Sequence, residues 1–357
     1  MLDFIKESTD VWTKLRNTAR PVILYGMGNG ADKIIDWCES SGVQVKGIFA
    51  SDGFVRYQQF RGFTVCSYQD IIERFGEDIL IVIAFASELP EVLNKFRELA
   101  NKHEVLAPHL PLFAEADTVS CQWLHKYEQQ LQQVYDKLAD EQSRKVFAAA
   151  LNYKLSGDIR YLFACETDRR EDLSSLFVFK EDEVYLDLGA YNGDTVQEFL
   201  ELTGGSYCRI MAVEPDRRNF NKLERLHETL KGNFITHNKG IWQQADEMGF
   251  SDSGGRQSTL LAAQKKMVPV DSIDNLCRNQ RVTYIKMDVE GVEKEALEGG
   301  RETISRCKPK IMTAAYHYDV DIFLLPLFLW QLVPKYRIYL RKHPYIPAWE
   351  LNFFAVI

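Results

Sequence analysis

Glu183-Val-Tyr-Leu-Asp-Leu-Gly-Ala-Tyr-Asn-Gly-Asp-Thr195 is the stretch whose reading decides the fold. It opens on a short apolar run, Val184 to Leu188, interrupted only by Asp187. Gly189 and Gly193 follow, and after Asp194 comes an amphipathic segment, Thr195 to Leu202. Strand, glycine turn and helix in this order hold a nucleoside cofactor beyond the carboxyl end of a parallel sheet. On this reading Gly189 lets the backbone approach a ligand, Gly193 helps the turn close, and Asp194 caps the helix. Asp187 faces the site from the last turn of its strand. About twenty residues past Gly193, a second strand from Ser206 to Val213 ends in Glu214-Pro215, where an acid commonly takes the two ribose hydroxyls. The glycines run D-x-G-A-x-x-G-D-T, which is not the dinucleotide pattern G-x-G-x-x-G.

The alternation continues downstream. A helix over Asp216 to Leu230 leads to a third strand, Phe234 to Asn238. Residues 239–267 are less regular and contain the polar loop Ser251-Asp-Ser-Gly-Gly-Arg-Gln-Ser258. Asp271 is a good cap for a helix over Ser272 to Leu276. Thr283 to Met287 is the fourth strand, closing in Asp288-Val-Glu290-Gly291 before a helix over Val292 to Leu297. A fifth strand, Lys310 to Ala315, ends at Tyr316-His317, and Tyr336 to Leu340 and Asn352 to Val356 read as the last two. Such alternation predicts an α/β fold with a doubly wound, mostly parallel sheet. Asp187, Glu214, Asp288, Glu290, Tyr316 and His317 then project toward one sheet edge. Strand ends carry acids for surface reasons too, but four separate strands converging on one edge favours a site.

A smaller α/β unit precedes this one. Pro21 to Tyr25 reads as a buried strand running into Gly26-Met-Gly28-Asn-Gly30-Ala31 and a helix over Asp32 to Ser40. Gly26, Gly28 and Ala31 fit G-x-G-x-x-A, and Asp52, past a strand over Val43 to Phe49, lies where a ribose-binding acid would sit. Further strands over Thr64–Cys66, Asp78–Ala84 and Glu104–Leu106 alternate with helices over Tyr68–Phe75 and Pro90–Leu99. From Gln122 to Tyr153 the pattern is helical, with Leu124, Tyr127, Leu131, Tyr135 and Leu138 on one face. That face reads as core packing, with a substrate entrance as the second option.

Composition narrows the class. At 357 residues two domains are expected, and a net charge of −8 without a long basic block argues against a general nucleic-acid binder. The 7 cysteines show no metal-binding spacing and read as reduced thiols. The first ten residues lack the basic-then-apolar order of a signal peptide. Ile322 to Val333 is too short to span a bilayer and contains Pro326. Cytoplasm is the expected compartment.

The run Glu183 to Thr195, Val213-Glu-Pro215, Tyr284 to Gly299 and Lys308-Pro-Lys-Ile with Tyr316-His317 together resemble the FkbM-type methyltransferases. The most specific part is Lys286-Met-Asp-Val-Glu-Gly291. The resemblance covers residues of about 140 to 357 and implies a class I methyltransferase fold using S-adenosylmethionine, usually on a hydroxyl of a sugar or secondary metabolite. The expected division is a Rossmann-like domain over 1–115, a helical connector over 116–180 and the methyltransferase domain over 181–357. The departures, Trp349-Glu-Leu-Asn-Phe-Phe and the second tyrosine of Tyr316-His-Tyr318, lie near where acceptors bind, so substrate choice does not carry over.

The resemblance assigns the cofactor to Asp187, the turn Gly189, Ala190, Tyr191, Asn192 and Gly193, Asp194 and Thr195, Glu214 and Asp288. The acceptor is expected to be a small molecule or glycan. A sulfonium carries an already activated methyl, so in-line displacement needs no metal, only positioning and removal of a hydroxyl proton. His317 is the favoured base because an unperturbed imidazole titrates near neutrality, with Asp288 the alternative. A plain strand-end imidazole is an equal reading of His317. Lys286 is expected to pair with a nearby acid and Glu290 to cap the following helix. The first domain admits NAD, a nucleotide-linked sugar, or docking alone, and no hydride-transfer pair supports an oxidoreductase.

Overall fold

A computed structural model describes residues 2–113, 116–230, 232–250 and 266–357. The polar loop Ser251 to Ser258 lies outside the described residues. By contacts the chain forms two compact units. The first comprises Met1–Tyr135, Arg144–Thr167 and Lys342–Glu350; the second comprises Asp136–Ser143, Asp168–Arg341 and Leu351–Ile357. Residues 116–180 are thus shared between the units, and a short piece of the C-terminal region belongs to the first.

The first unit is built on β1 (Val22–Tyr25), β2 (Val45–Phe49), β3 (Gln59–Phe60), β4 (Phe63–Cys66), β5 (Leu80–Ile83) and β6 (Glu104–Leu106). Their order is β3-β4-β2-β1-β5-β6, with every neighbouring pair parallel except β3 with β4. Side chains alternate between the faces of a strand. Accordingly Ile23, Tyr25, Ile81 and Ile83 join one apolar cluster, while Val22, Leu24, Leu80 and Val82 join another. With both faces covered, these strands are apolar throughout. Helix Asn29–Ser40 starts three residues earlier than its pattern suggested, because Gly28 at φ 106° is its N-cap.

The second unit contains β7 (Val184–Leu188), β8 (Arg209–Val213), β9 (Phe234–His237), β13 (Tyr284–Met287), β14 (Lys310–Ala314), β15 (Arg337–Lys342) and β16 (Leu351–Val356). The seven-stranded sheet runs β15-β16-β14-β13-β7-β8-β9. From β14 to β9 all pairs are parallel, whereas β16 is antiparallel to β14. The irregular region also holds a small separate sheet of β10 (Gly240–Ile241), β11 (Asp246–Phe250) and β12 (Lys266–Asp271), which periodicity did not reveal. Aromatic residues fill one face of the main sheet, with Tyr185 and Tyr284 stacked at 4.7 Å and Phe199 and Phe177 beside them.

Chain order makes β7 the decisive strand. From β7 the chain winds through β8 and β9 on one side, then returns to lay β13 and β14 on the other. Neighbouring crossovers therefore diverge at the carboxyl end of β7, opening the crevice in which doubly wound sheets bind ligands. Among the described residues no helix is long and apolar enough to cross a membrane. The apolar helix Asp321–Leu332, with Pro326 inside it, is largely buried.

Candidate functional site

The turn after β7 is fastened from beneath. The Gly189 and Ala190 N–H groups both donate to the Val213 carbonyl at 3.0 Å, tying the turn to the end of β8. Gly189 has φ 76°, and a Cβ there would fall 1.8 Å from the Asp288 carbonyl oxygen. The glycine is thus required by the close approach of the β13 end, a reason that its sequence context did not show. Gly193, at φ 89°, is the N-cap of helix Asp194–Leu202. Asp194 is therefore the first helical residue rather than the cap, and its carboxylate accepts from the Thr195 N–H at 2.8 Å.

Asp187 does not face open space. It is 0% exposed, accepts from the Thr195 hydroxyl at 2.5 Å, and lies 3.5 Å from the Lys286 ammonium. Thr195 and Asp187 therefore organise the turn and helix start from inside the fold. Lys286, as anticipated, pairs with an acid, and its Nζ also donates to the Gly189 carbonyl at 2.8 Å. Burial opposes the lysine's charge, but Asp187, Asp288 and Asp194 more than offset it, holding the pKa above its ordinary value.

Glu214 closes the other side. One carboxylate oxygen accepts from the Tyr191 N–H and the other from the Asp216 N–H, both at 2.8 Å. Each carboxylate oxygen retains a second lone pair, so two acceptor positions remain. Only 6% of the residue is exposed, and burial pushes its pKa up to about 7 despite the two backbone donors. Tyr191 stands between Gly189 and Gly193 in the left-handed region, at φ 48°. Asn192 accepts from the Asp194 N–H at 3.2 Å.

At the ends of β13 and β14 lies a dense charge cluster. The Tyr316 hydroxyl donates to the Asp288 carboxylate at 3.1 Å, and Asp288 is partly exposed. His317 is 3% exposed; its Nε2 lies 3.4 Å from Glu290 Oε2 and 3.6 Å from Asp288 Oδ1. Its Nδ1 lies 3.0 Å from Glu293 Oε1. Burial disfavours the imidazolium, but the surrounding carboxylates prevail and raise the pKa well above the ordinary histidine value. The expected titration of His317 near neutrality is thus corrected: a ring held protonated has no lone pair with which to take a proton. Glu290 does not cap a helix either, since the helix begins at Glu293 with Val292 at its N-cap, and Glu290 turns to His317 at φ 57°.

Glu293 was not singled out by its sequence. It accepts from the Val289 N–H at 3.0 Å and is 1% exposed. Its place in an acidic helical run reads as solvent-facing, and only the packing of its helix buries it. Gly291, at φ 94°, lies in the short turn between β13 and that helix, and nothing in the local sequence distinguishes Glu293 from its acidic neighbours.

In the first unit packing explains part of the sequence pattern, but not Gly28, where a Cβ would meet nothing within 4 Å. A Cβ on Gly26 would lie 2.4 Å from the Phe85 ring, and one on Gly30 would lie 2.4 Å from the Ala84 carbonyl. Ala31 is core at 0% exposure, and Asp52 opens an exposed turn, Asp52–Phe54, after β2.

A seven-stranded sheet with this order, its glycine turn after β7 and Glu214 at the end of the neighbouring β8, is the class I methyltransferase fold. Residues 187–346 match the family described as methyltransferase FkbM domain. The structure of the methyltransferase FkbM from Methylobacillus flagellatus KT is similar, with a TM-score of 0.73 and 21% identity over 96% of this chain and 92% of that one. A fibrillarin/Nop5p complex overlays 52% of this chain and 77% of its own at 17% identity and a TM-score of 0.33. Precorrin-6y C5,15-methyltransferase from Geobacter metallireducens GS-15 overlays 53% of this chain and 88% of its own at 14% identity and a TM-score of 0.33. No curated protein matches the sequence.

Proposed function

We propose that the second unit binds S-adenosylmethionine and methylates a hydroxyl of a small molecule or glycan. The observation that carries this reading is the convergence, at the switch point beyond β7, of the glycine turn, Glu214 and Asp288. The residues fit such a cofactor: a buried carboxylate with two spare acceptor positions stands where two ribose hydroxyls need partners. The turn from Gly189 to Gly193 holds the methionine end, with Asp187, Thr195 and Lys286 fixing its shape from within. When bound, the cofactor supplies a methyl group on a sulfonium, a leaving group that needs no further activation.

The chain's own residues supply position and charge. Transfer forms an oxygen–carbon bond as the sulfur–carbon bond breaks, and the hydroxyl proton leaves to a protein carboxylate or water. Asp288 is our choice for that acceptor or for orienting the hydroxyl, because it is partly exposed and His317 is held as imidazolium. For the first unit we propose docking rather than NAD binding, since packing accounts for Gly26 and Ala31 and Asp52 lies in an exposed turn, leaving only Gly28 of the pattern without a packing role. Calorimetry with S-adenosylhomocysteine tests the reading on the full-length protein. Saturable 1:1 binding is expected, and no heat at millimolar ligand would sink it.

A further inference from the structure

The cluster at the ends of β13 and β14 holds more negative charge than proton transfer requires. We propose that Asp288, Glu293 and His317 form a binding site for one divalent cation of the manganese–magnesium class, whose binding displaces to solvent the proton that His317 carries in the metal-free protein.

One ligand-type atom from each of these residues lies within 4.8 Å of those of the other two. Ligands sharing an ion at about 2.1 Å lie roughly 3 to 4.2 Å apart, so small side-chain adjustments complete such a shell. A second, independent observation points to a missing positive partner. Glu293 Oε2 is buried and has no hydrogen-bond partner among the described residues. Glu293 is 1% exposed, so bulk water cannot satisfy this atom. A buried carboxylate oxygen without a donor is costly, and a cation relieves that cost directly.

The local charge supports the same conclusion. Glu290 Oε2, 3.4 Å from His317 Nε2, adds another carboxylate to the set. Asp288, Glu290 and Glu293 face one imidazole, an excess of acid even with the ring protonated. An oxygen-rich set with one imidazole suits Mn²⁺ best, with Mg²⁺ admitted through bound waters. The Val289 N–H on Glu293 Oε1 leaves Oε2 as the free oxygen. Asp288, partly exposed, is the member that opens the cluster to an acceptor. A cation there would bind the acceptor oxygen and lower its pKa; that role rests on the methyltransfer reading, whereas the existence of the site does not.

The test is a Mn²⁺ titration of the chelator-stripped full-length protein, with free Mn²⁺ read by electron paramagnetic resonance. S-adenosylhomocysteine binding is measured separately on the same preparation. One saturable Mn²⁺ per chain is expected, weakened at least about 10-fold by Asp288→Asn and by Glu293→Gln. Absence of saturable binding at millimolar Mn²⁺ overturns the site, leaving the imidazolium as its only cation. Binding that survives both substitutions unchanged overturns it equally. If Glu293→Gln does not fold, the partly exposed Asp288→Asn decides alone. Mn²⁺ binding without S-adenosylhomocysteine binding would uphold the cation site and sink the methyltransfer reading, and the reverse would do the opposite.

Discussion

Glu214 has a pKa raised to about 7 by burial, which makes the proposed ribose contact sensitive to pH near neutrality. Ribose hydroxyls donate, so they favour the ionised carboxylate. Affinity for S-adenosylhomocysteine should therefore rise as pH goes from 6 to 8, and isothermal titration at several pH values reads this directly. The stability effect has the opposite sign. An acid whose folded pKa exceeds its ordinary 4.5 contributes stability below that value and loses it as pH rises through about 7. For the ligand-free protein that loss is on the order of 3 kcal/mol at most. A binding isotherm indifferent to pH over this range would remove Glu214 from the ribose site.

The β7–β13 pair is the element on which the turn depends. Lys286 and Asp187 lie opposite each other in the register of the two strands, and both are buried. Together they connect strand, turn and helix: Asp187 to Thr195, Lys286 to the Gly189 carbonyl. Removing one partner leaves an uncompensated buried charge, so Lys286→Met should cost about 3–5 kcal/mol. Denaturant unfolding checks the size. Adding Asp187→Asn to Lys286→Met should recover part of the loss, because the residual cost lies in the stranded carboxylate. Simple additivity of the two substitutions would mean that the pair is not coupled.

The whole chain comprises two units with separate switch points, one beside β1 and one beside β7. If the cofactor site is wholly within the second, the two glycine turns respond differently to substitution. Glu214→Ala should weaken S-adenosylhomocysteine binding by roughly 1–3 kcal/mol, the value of hydrogen bonds to a charged acceptor. Gly28→Val forces a β-branched residue into φ 106° and should lower the melting temperature while leaving that affinity intact. Calorimetry on both variants decides the matter, and equal losses of affinity would show that the two units do not act separately.

Local pattern determined a good deal by itself. Apolar runs ending in Gly189 and in Asp288 placed β7 and β13 within a residue or two, and helix Tyr68–Phe75 matched its pattern, because period and turn chemistry are written in neighbouring residues. The edge carrying Asp187, Glu214, Asp288 and His317 was legible for the same reason. Which of those side chains face a ligand was not. Asp187 turns inward to Thr195 and Lys286, Gly189 makes room for the Asp288 carbonyl, and His317 gains three carboxylates, one of them the unremarked Glu293. Likewise Lys342–Glu350, from the last residue of β15 onward, joins the first unit although the rest of β15 belongs to the second. Burial and charge environment arise from contacts between residues far apart in the chain. Strand and helix period cannot encode them, and only the tertiary structure decided them.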